Sequence, residues 1–130
     1  MLFTRESDYA IRIVRALSDG ERSNIKTICR KEDIPEAFAY KIIKKLSNAD
    51  IVDVKRGVSG GFSLKCDTND ITIYDIVIAI DPEFAITRCI NNFCSMNGTD
   101  ERCKVHKELL LVQKEVENLL KKKSLREILK

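Results

Sequence analysis

The sequence has little proline, little glycine and no long apolar run, and each shortage excludes a class of protein. Two prolines and five glycines among 130 residues, of which 44% are hydrophobic and 33% charged, exclude a disordered chain and favour an ordinary soluble, helix-rich fold. The longest apolar run, residues 71–80, is interrupted by Thr72 and Asp75 and is far shorter than the roughly 20 residues that cross a bilayer. We therefore expect one compact domain with no membrane segment.

The chain also lacks the features of an exported protein and of an enzyme. Arg5, Glu6 and Asp8 interrupt the N-terminal stretch that a secretion signal keeps apolar, so we expect a cytoplasmic protein. One histidine without a serine or acid constellation offers no catalytic machinery, so we expect no enzyme. An odd number of cysteines, five, argues against a disulfide framework. Of these, Cys29 and Cys66 stand alone and are interpreted as small buried apolar side chains.

Positive charge is concentrated in the middle of the chain. Residues 21–65 hold ten lysines and arginines against six aspartates and glutamates, whereas residues 1–20 hold three of each and residues 66–130 hold ten against eleven. The modest net charge of +3 therefore hides an excess of four positive charges in the middle third. A surface that contacts nucleic-acid phosphates needs such an excess, although a solvated basic face has the same composition.

The hydrophobic pattern of the first half predicts a helix-turn-helix unit. Apolar residues at three-and-four spacing predict helices over residues 4–20, about 24–31 and 35–49. Thr4 is suited to cap the first of these helices, either Asn24 or Ser23 is suited to cap the second, and Pro35 suits the first position of the third. Because the second and third helices are short and joined by a tight turn, they form the unit that many DNA-binding proteins share.

A hairpin is predicted directly after the third helix. Residues 51–56 alternate as a strand does, and residues 60–64 form a second strand that is entered through glycine. The predicted fold class is thus mainly α with a small β-hairpin wing, a winged helix-turn-helix followed by a long C-terminal dimerisation helix. We assign residues 1–66 to the DNA-binding region and residues 67–130 to a cysteine-bearing loop and dimerisation helix within one compact domain.

The second half is predicted to contain two helices around a long loop. Thr72 and Asp75 form the start of a helix that ends before Pro82, and periodicity is then lost over residues 87–101. The last long helix runs from about Glu101 to Lys122, and a short capped turn at residues 124–129 is expected to fold back. The long helix carries a heptad seam, which suits pairing with a second copy as well as packing on its own domain. The seam consists of Val105, Leu109, Val112, Val116 and Leu119.

The third helix is the candidate recognition helix. If Ala39, Ile42 and Leu46 face the core, the remaining residues face outward, where side chains reach base edges in the major groove. These outward residues are Glu36, Ala37, Phe38, Tyr40, Lys41 and Lys44. Two aromatic rings on such a face suit contacts with thymine methyls and phosphates, while closure of the core is an equal alternative for Phe38.

The tip of the hairpin is the second candidate DNA contact. Lys55, Arg56, Gly57 and Ser59 lie in a glycine-rich turn that can approach the phosphate backbone closely. An arginine in such a turn can enter a narrow minor groove, where the potential is most negative. A phosphate-binding loop is excluded because no helix N-terminus follows Gly61.

Three of the cysteines and the histidine form a candidate metal site. Cys89, Cys94 and Cys103 have four and eight residues between them, and His106 follows three positions later. Thiolates and an imidazole can hold zinc in a tetrahedral site, or an iron–sulfur cluster with histidine as the fourth ligand. The absence of a Cys-x-x-Cys pair counts against zinc.

These motifs together resemble one family over nearly the whole chain. The resemblance is carried by residues 1–4 with 8–10, by Ile34-Pro35, by residues 55–62 of the wing and by the three cysteines before the long helix. The chain resembles the Rrf family of winged-helix transcriptional regulators, whose members include IscR, NsrR, RirA and CymR. The resemblance implies a homodimer that binds a palindromic site on double-stranded DNA through the third helix and the wing.

The resemblance further implies an iron–sulfur cluster that senses redox state, nitric oxide or cluster supply. Cys89, Cys94 and Cys103 match the positions of its three cysteine ligands, and the choice between two and four irons stays open. The fourth ligand is His106 if the chain follows IscR-like members, or Asp8 if it follows NsrR-like members. The rival interpretations are a regulator with structural zinc, a cluster-free thiol switch, and an adaptor that uses the winged fold without reading DNA.

Overall fold

A computed structural model gives the structure of the chain and describes residues 1–97 and 103–130. The predicted class, mainly helical with one β-hairpin, is confirmed in these residues. The predicted start of the last long helix at Glu101 lies outside them. The elements in chain order are α1 (Arg5–Ala16), α2 (Ile25–Glu32), α3 (Glu36–Asn48), β1 (Val52–Lys55), β2 (Gly61–Leu64), α4 (Ile73–Ile80), short 3-10 turns at Arg88–Ile90 and Ser95–Asn97, α5 (Lys104–Lys121) and α6 (Leu125–Ile128).

Helix starts follow the predicted capping residues. The Thr4 side chain accepts a hydrogen bond from the Ser7 backbone N–H at 3.1 Å, and the Asn24 side chain caps α2 in the same way. Thr72 and Asp75 form a complete capping box at the start of α4. The third helix begins one residue later than predicted. Pro35 is its N-cap and not its first helical residue, because the Pro35 backbone is extended, with ψ of 132°.

The turn between α2 and α3 is compact. Asp33 takes a left-handed conformation with φ of 55°, and the Ile34 backbone N–H then donates to the Cys29 carbonyl at 3.0 Å. This geometry ends α2 with a left-handed cap residue and directs the chain into α3. Glu32, which is buried, forms an ion pair with Arg15 and so joins α2 to α1.

One hydrophobic cluster unites both halves of the chain. α1 packs against α2, α3 and α4, and the most deeply buried side chains come from all four helices and from β1. The largest of them are Ile13, Leu17, Ile28, Ile42, Leu46, Ile76 and Val52. The predicted fold-back of the C-terminus is confirmed, because Leu125 of α6 is buried and its backbone N–H donates to the Ile71 carbonyl at 2.8 Å. Of the helices in the described residues, none combines the length and the apolar composition that crossing a bilayer requires.

The hairpin is fixed to the turn that precedes α2. β1 and β2 pair antiparallel, with Val54 opposite Phe62, and Phe62 exchanges two backbone hydrogen bonds of 2.8 Å with Ser23. Arg22 adds an ion pair to Asp53 at 2.8 Å and a hydrogen bond to the Gly61 carbonyl at 3.1 Å. The segment before α2 therefore holds the wing through β2, while the tip of the wing extends into solvent.

We predict that Gly61→Ala destabilises the fold by about 1–3 kcal/mol, because Gly61 has φ of 139° and a Cβ there would lie 2.7 Å from the Ser23 carbonyl oxygen. Urea denaturation measures the free energy of unfolding. Gly57→Ala is the matched control, since Gly57 has φ of 104° but nothing within 4 Å of the added Cβ. Equal losses for the two variants would contradict a role for the close approach to Ser23.

Candidate nucleic-acid interface and cysteine loop

The third helix presents the predicted face to solvent. Ala39, Ile42, Ile43 and Leu46 are buried, and their spacing leaves one stripe of α3 outside the core. The six predicted contact residues on that stripe are all exposed: Glu36, Ala37, Phe38, Tyr40, Lys41 and Lys44. The face therefore offers two aromatic rings and two lysines to a ligand.

The two aromatic residues of α3 have different surroundings. The Phe38 ring packs against the Tyr9 ring of α1, with 5.9 Å between ring centroids, and retains 40% exposure. Tyr40 is 57% exposed. Phe38 thus has a packing partner that the sequence did not predict, and it lies at the boundary between core and surface, whereas Tyr40 extends further into solvent.

Two of the three lysines of α3 pair with one carboxylate of α1. Glu6 receives the Lys41 ammonium on Oε1 at 2.9 Å and the Lys45 ammonium on Oε2 at 2.8 Å. The hydrogen bonds from Lys45 and Lys41 hold the pKa of the Glu6 carboxyl below its usual value, so the carboxylate stays ionised. Sequence reasoning missed this pairing because Glu6 and the two lysines lie on different helices, more than thirty residues apart in sequence.

The wing tip is open to solvent. Lys55, Arg56, Gly57 and Ser59 are all exposed, and the Gly60 backbone N–H donates to the Gly57 carbonyl at 3.0 Å to close the turn. Within residues 1–97 and 103–130, neither Lys55 nor Arg56 forms a salt bridge, in contrast to Lys41. The wing cations are accordingly available to phosphates without the loss of an internal ion pair.

The three candidate cysteine ligands lie in the segment before the long helix and at its N-cap. Cys89 belongs to the first 3-10 turn, which contacts α5, Cys94 precedes the second, and Cys103 is the N-cap residue of α5. All three are half-buried, as is His106 in the first turn of α5. Asp8 lies elsewhere, exposed on α1 and paired with Arg12 at 3.2 Å.

These residues have the chemistry of a metal site but are not assembled into one. His106 Nδ1 is buried and has no hydrogen-bond partner among the described residues, an arrangement that costs free energy until a partner reaches it. Three half-buried thiols nearby in sequence are soft ligands. Across the described part of the chain, however, no three His, Cys, Asp or Glu side chains are close enough to hold a metal ion together.

A comparison with protein-family profiles shows to which family the chain belongs. A family profile, Rrf2, described as an iron-dependent transcriptional regulator, matches residues 3–130. The chain belongs to the Rrf2 family. Rrf2 members are transcriptional regulators, so the predicted resemblance and the prediction that the chain is not an enzyme are both confirmed.

Two curated relatives support the Rrf2 assignment. The HTH-type transcriptional regulator NsrR of Bacillus subtilis (strain 168) is 32% identical over 136 residues, which cover 100% of this chain and 91% of NsrR. Protein aau3 of Rhizobium meliloti (strain 1021) is 33% identical over 91 residues, which cover 68% of this chain and 59% of aau3. The match therefore spans less than two thirds of the length of aau3.

Two solved structures confirm the winged-helix fold of this Rrf2 chain. CymR, the global cysteine regulator of B. subtilis, superposes with a TM-score of 0.78 at 17% identity, covering 97% of this chain and 94% of CymR. T. potens IscR superposes with a TM-score of 0.76 at 20% identity, covering 97% of this chain and 84% of IscR. At such identities the likeness establishes the fold alone.

Gln113 is a residue of the site that sequence reasoning missed. It is the one buried residue among the described side chains of α5, and its amide donates to the Phe84 carbonyl at 3.2 Å and accepts from the Ile86 N–H at 2.8 Å. Phe84 in turn packs against the Phe3 ring, with 5.6 Å between centroids. Gln113 thereby fixes the segment that leads into Cys89. In the sequence, the only sign of this role is a glutamine next to the apolar seam, and the sequence does not show which groups that glutamine binds.

Proposed function

We propose that this Rrf2 regulator binds a palindromic site on double-stranded DNA as a homodimer, and that an iron–sulfur cluster on the cysteine loop sets its affinity. The observation that carries the proposal is the pair of exposed cations at the wing tip, Lys55 and Arg56, which form no ion pair with the described residues and follow an exposed α3 face. A basic, glycine-tipped hairpin beside a solvent-facing helix has the shape and charge to follow a duplex groove and its phosphates.

The DNA contacts divide between helix and wing. Glu36, Ala37, Tyr40 and Lys44, with the exposed part of the Phe38 ring, face the major groove, while the wing-tip residues face the neighbouring backbone and minor groove. The wing-tip set is Lys55, Arg56, Gly57 and Ser59. Lys41 is set apart from the other contacts because its ammonium already pairs with Glu6.

The dimer proposal rests on the exposed apolar stripe of α5. Val105, Val112 and Leu119 recur every seven residues and are exposed, and the intervening Leu109 and Val116 are half-buried. Apolar side chains on a heptad spacing gain free energy when a second helix covers them. A second copy on this stripe also supplies the two recognition helices that a palindromic site requires.

The cluster proposal rests on the donor set and on His106 Nδ1, which has no hydrogen-bond partner in the part of the chain that the structure describes. Cys89, Cys94 and Cys103 would supply thiolates, and either His106 or Asp8 the fourth ligand. Asp8 would first have to leave its ion pair with Arg12, whereas His106 Nδ1 has no hydrogen-bond partner among the described residues, so the structure favours His106. A bound cluster supplies a one-electron redox couple and a target for nitric oxide. The chain's own contribution is to hold the thiols on a loop that Gln113 fixes to α5.

A cluster-free thiol switch is the second candidate. It is favoured by the likeness to CymR, a cysteine regulator, and by the separation of the thiols in the described residues. Analysis of iron and sulfide in anaerobically purified protein distinguishes the candidates, since a thiol switch contains neither and a structural zinc site contains zinc alone. We propose a cytoplasmic location for either form.

We predict that Arg56→Ala weakens binding to the cognate duplex by about 1–3 kcal/mol, roughly 5- to 150-fold in Kd, because the arginine is lost from the groove. Fluorescence anisotropy with a labelled duplex measures the change. Lys65→Ala is the matched control, since it also removes an exposed cation next to the hairpin, one that pairs with Asp50 at 2.9 Å. Unchanged affinity in Arg56→Ala would remove Arg56 from the interface.

A further inference from the structure

Glu6 divides the basic groups near the DNA-facing surface into two classes. Lys41 and Lys45 are paired with its two carboxylate oxygens at 2.9 and 2.8 Å. In the part of the chain that the structure describes, Lys44, Lys55 and Arg56 form no ion pair. Glu6 therefore neutralises two of the three lysines of α3, and one of these two, Lys41, lies on the outward face of the helix.

The carboxylate is well held in this position. Glu6 lies in the first turn of α1, two residues after the Thr4 cap, where a negative charge interacts favourably with the helix dipole. Its side chain is only 26% exposed, and each oxygen accepts a charge-assisted hydrogen bond from a different lysine.

Phosphate contacts and base contacts contribute differently to binding. Each lysine that neutralises a phosphate releases counterions and tightens binding to any sequence, with a slope of about −0.9 in log K against log salt per contact. Discrimination between sequences comes instead from groups that reach base edges. A protein that holds back two lysines therefore loses sequence-independent affinity while it keeps its base readout.

We infer that Glu6 withholds Lys41 and Lys45 from DNA phosphates and so lowers the sequence-independent part of the affinity for duplex DNA. The inference rests on the proposed function, in which α3 and the wing face the duplex. The inference means that wild-type protein makes up to two fewer phosphate contacts than it would make if Lys41 and Lys45 were free.

The test is the salt dependence of binding to a short mixed-sequence duplex, measured by fluorescence anisotropy over a KCl series. Glu6→Gln, which keeps the size of the side chain, is expected to steepen the slope by about 1–2 and to tighten binding at the lowest salt by roughly 10-fold. Glu83→Gln is the control, because it removes the same charge from an exposed position where the described residues offer no ion pair. Its slope is expected to equal that of the wild type.

Two further variants test whether a steeper slope comes from the released lysines or from a change in net charge or in folding. Glu6→Asp keeps the charge but is too short to reach both lysines, so its slope is expected to steepen by about 1. Adding Lys41→Gln and Lys45→Gln to Glu6→Gln is expected to return the slope to the wild-type value. Thermal unfolding followed by circular dichroism checks that each variant is folded under the binding conditions.

The outcomes separate the inference from the function on which it rests. Salt-dependent wild-type binding with an unchanged slope in folded Glu6→Gln and Glu6→Asp overturns the role of Glu6 and leaves the proposed function intact. Wild-type protein that binds duplex DNA without salt dependence, or not at all, overturns the proposed function and the inference together.

Discussion

Cys94→Ala is expected to yield protein that purifies without its iron–sulfur cluster. Anaerobically prepared wild-type protein should be coloured and should contain iron and acid-labile sulfide in similar amounts, whereas the variant should be colourless and retain little of either. The physical reason is that the cluster is held by thiolates, and one lost thiolate leaves an iron without a protein ligand. Visible absorption with iron and sulfide analysis makes the measurement.

Cys66→Ala is the matched control for this loss. Cys66 is also half-buried, but it lies outside the cysteine loop, and burial raises the pKa of its thiol, which disfavours the thiolate that binds metal. The control should keep the colour and the iron content of the wild type. A colourless wild type with zinc in equal amount, or a Cys94→Ala protein that keeps its iron and sulfide, would contradict the assignment.

The cysteine variant should also change DNA binding. Coupling between a ligand site and a second site is typically worth about 1–3 kcal/mol, which is roughly 5- to 150-fold in Kd. We expect Cys94→Ala to bind the cognate duplex with the affinity of wild-type protein from which the metal has been stripped. Equal affinities for cluster-loaded wild-type protein and for Cys94→Ala would contradict a regulatory role for the cluster.

Leu119→Glu is expected to convert the proposed dimer into a monomer. Leu119 is 67% exposed on the α5 seam, so a glutamate there costs the single chain little, but it puts a charge against the apolar stripe of a second copy. A monomer engages one half-site at a time, so affinity for the palindromic duplex should fall by about 100-fold or more. Analytical ultracentrifugation and anisotropy measure the two effects.

Asn118→Glu controls for the added charge, because Asn118 is exposed on the same helix outside the seam. This variant should remain dimeric and bind as the wild type does. If Leu119→Glu also sediments as a dimer, the seam is not the interface, and α5 then serves only to carry the cysteine loop.

The elements of the fold were predictable because their signals are local. A cap, a capping box or a strand alternation involves residues two to four positions apart, and Thr4, Asn24 and Thr72 cap the helices that their sequences predicted. The predicted start of the third helix was wrong by one residue, because proline can occupy either the N-cap or the first helical position. The fold-back of α6 was predictable from its capped, amphipathic turn.

The contacts that shape the site were not predictable, because they join distant parts of the chain. Glu6 meets Lys45 across 39 positions, and Gln113 meets Phe84 across 29. Nothing in a local pattern distinguishes a glutamate that binds two lysines from one that faces water. The same limit applies to the fourth ligand of the proposed cluster, because the resemblance allows both His106 and Asp8.

The most direct test of the account is DNA binding by one protein preparation in two states. Anaerobically purified protein, with its metal loaded or stripped, is titrated with promoter fragments from its own genome. The account predicts that at least one fragment binds with strong salt dependence, and that its Kd differs between the two states by about 5-fold or more. Failure of both states to bind any fragment would contradict the account.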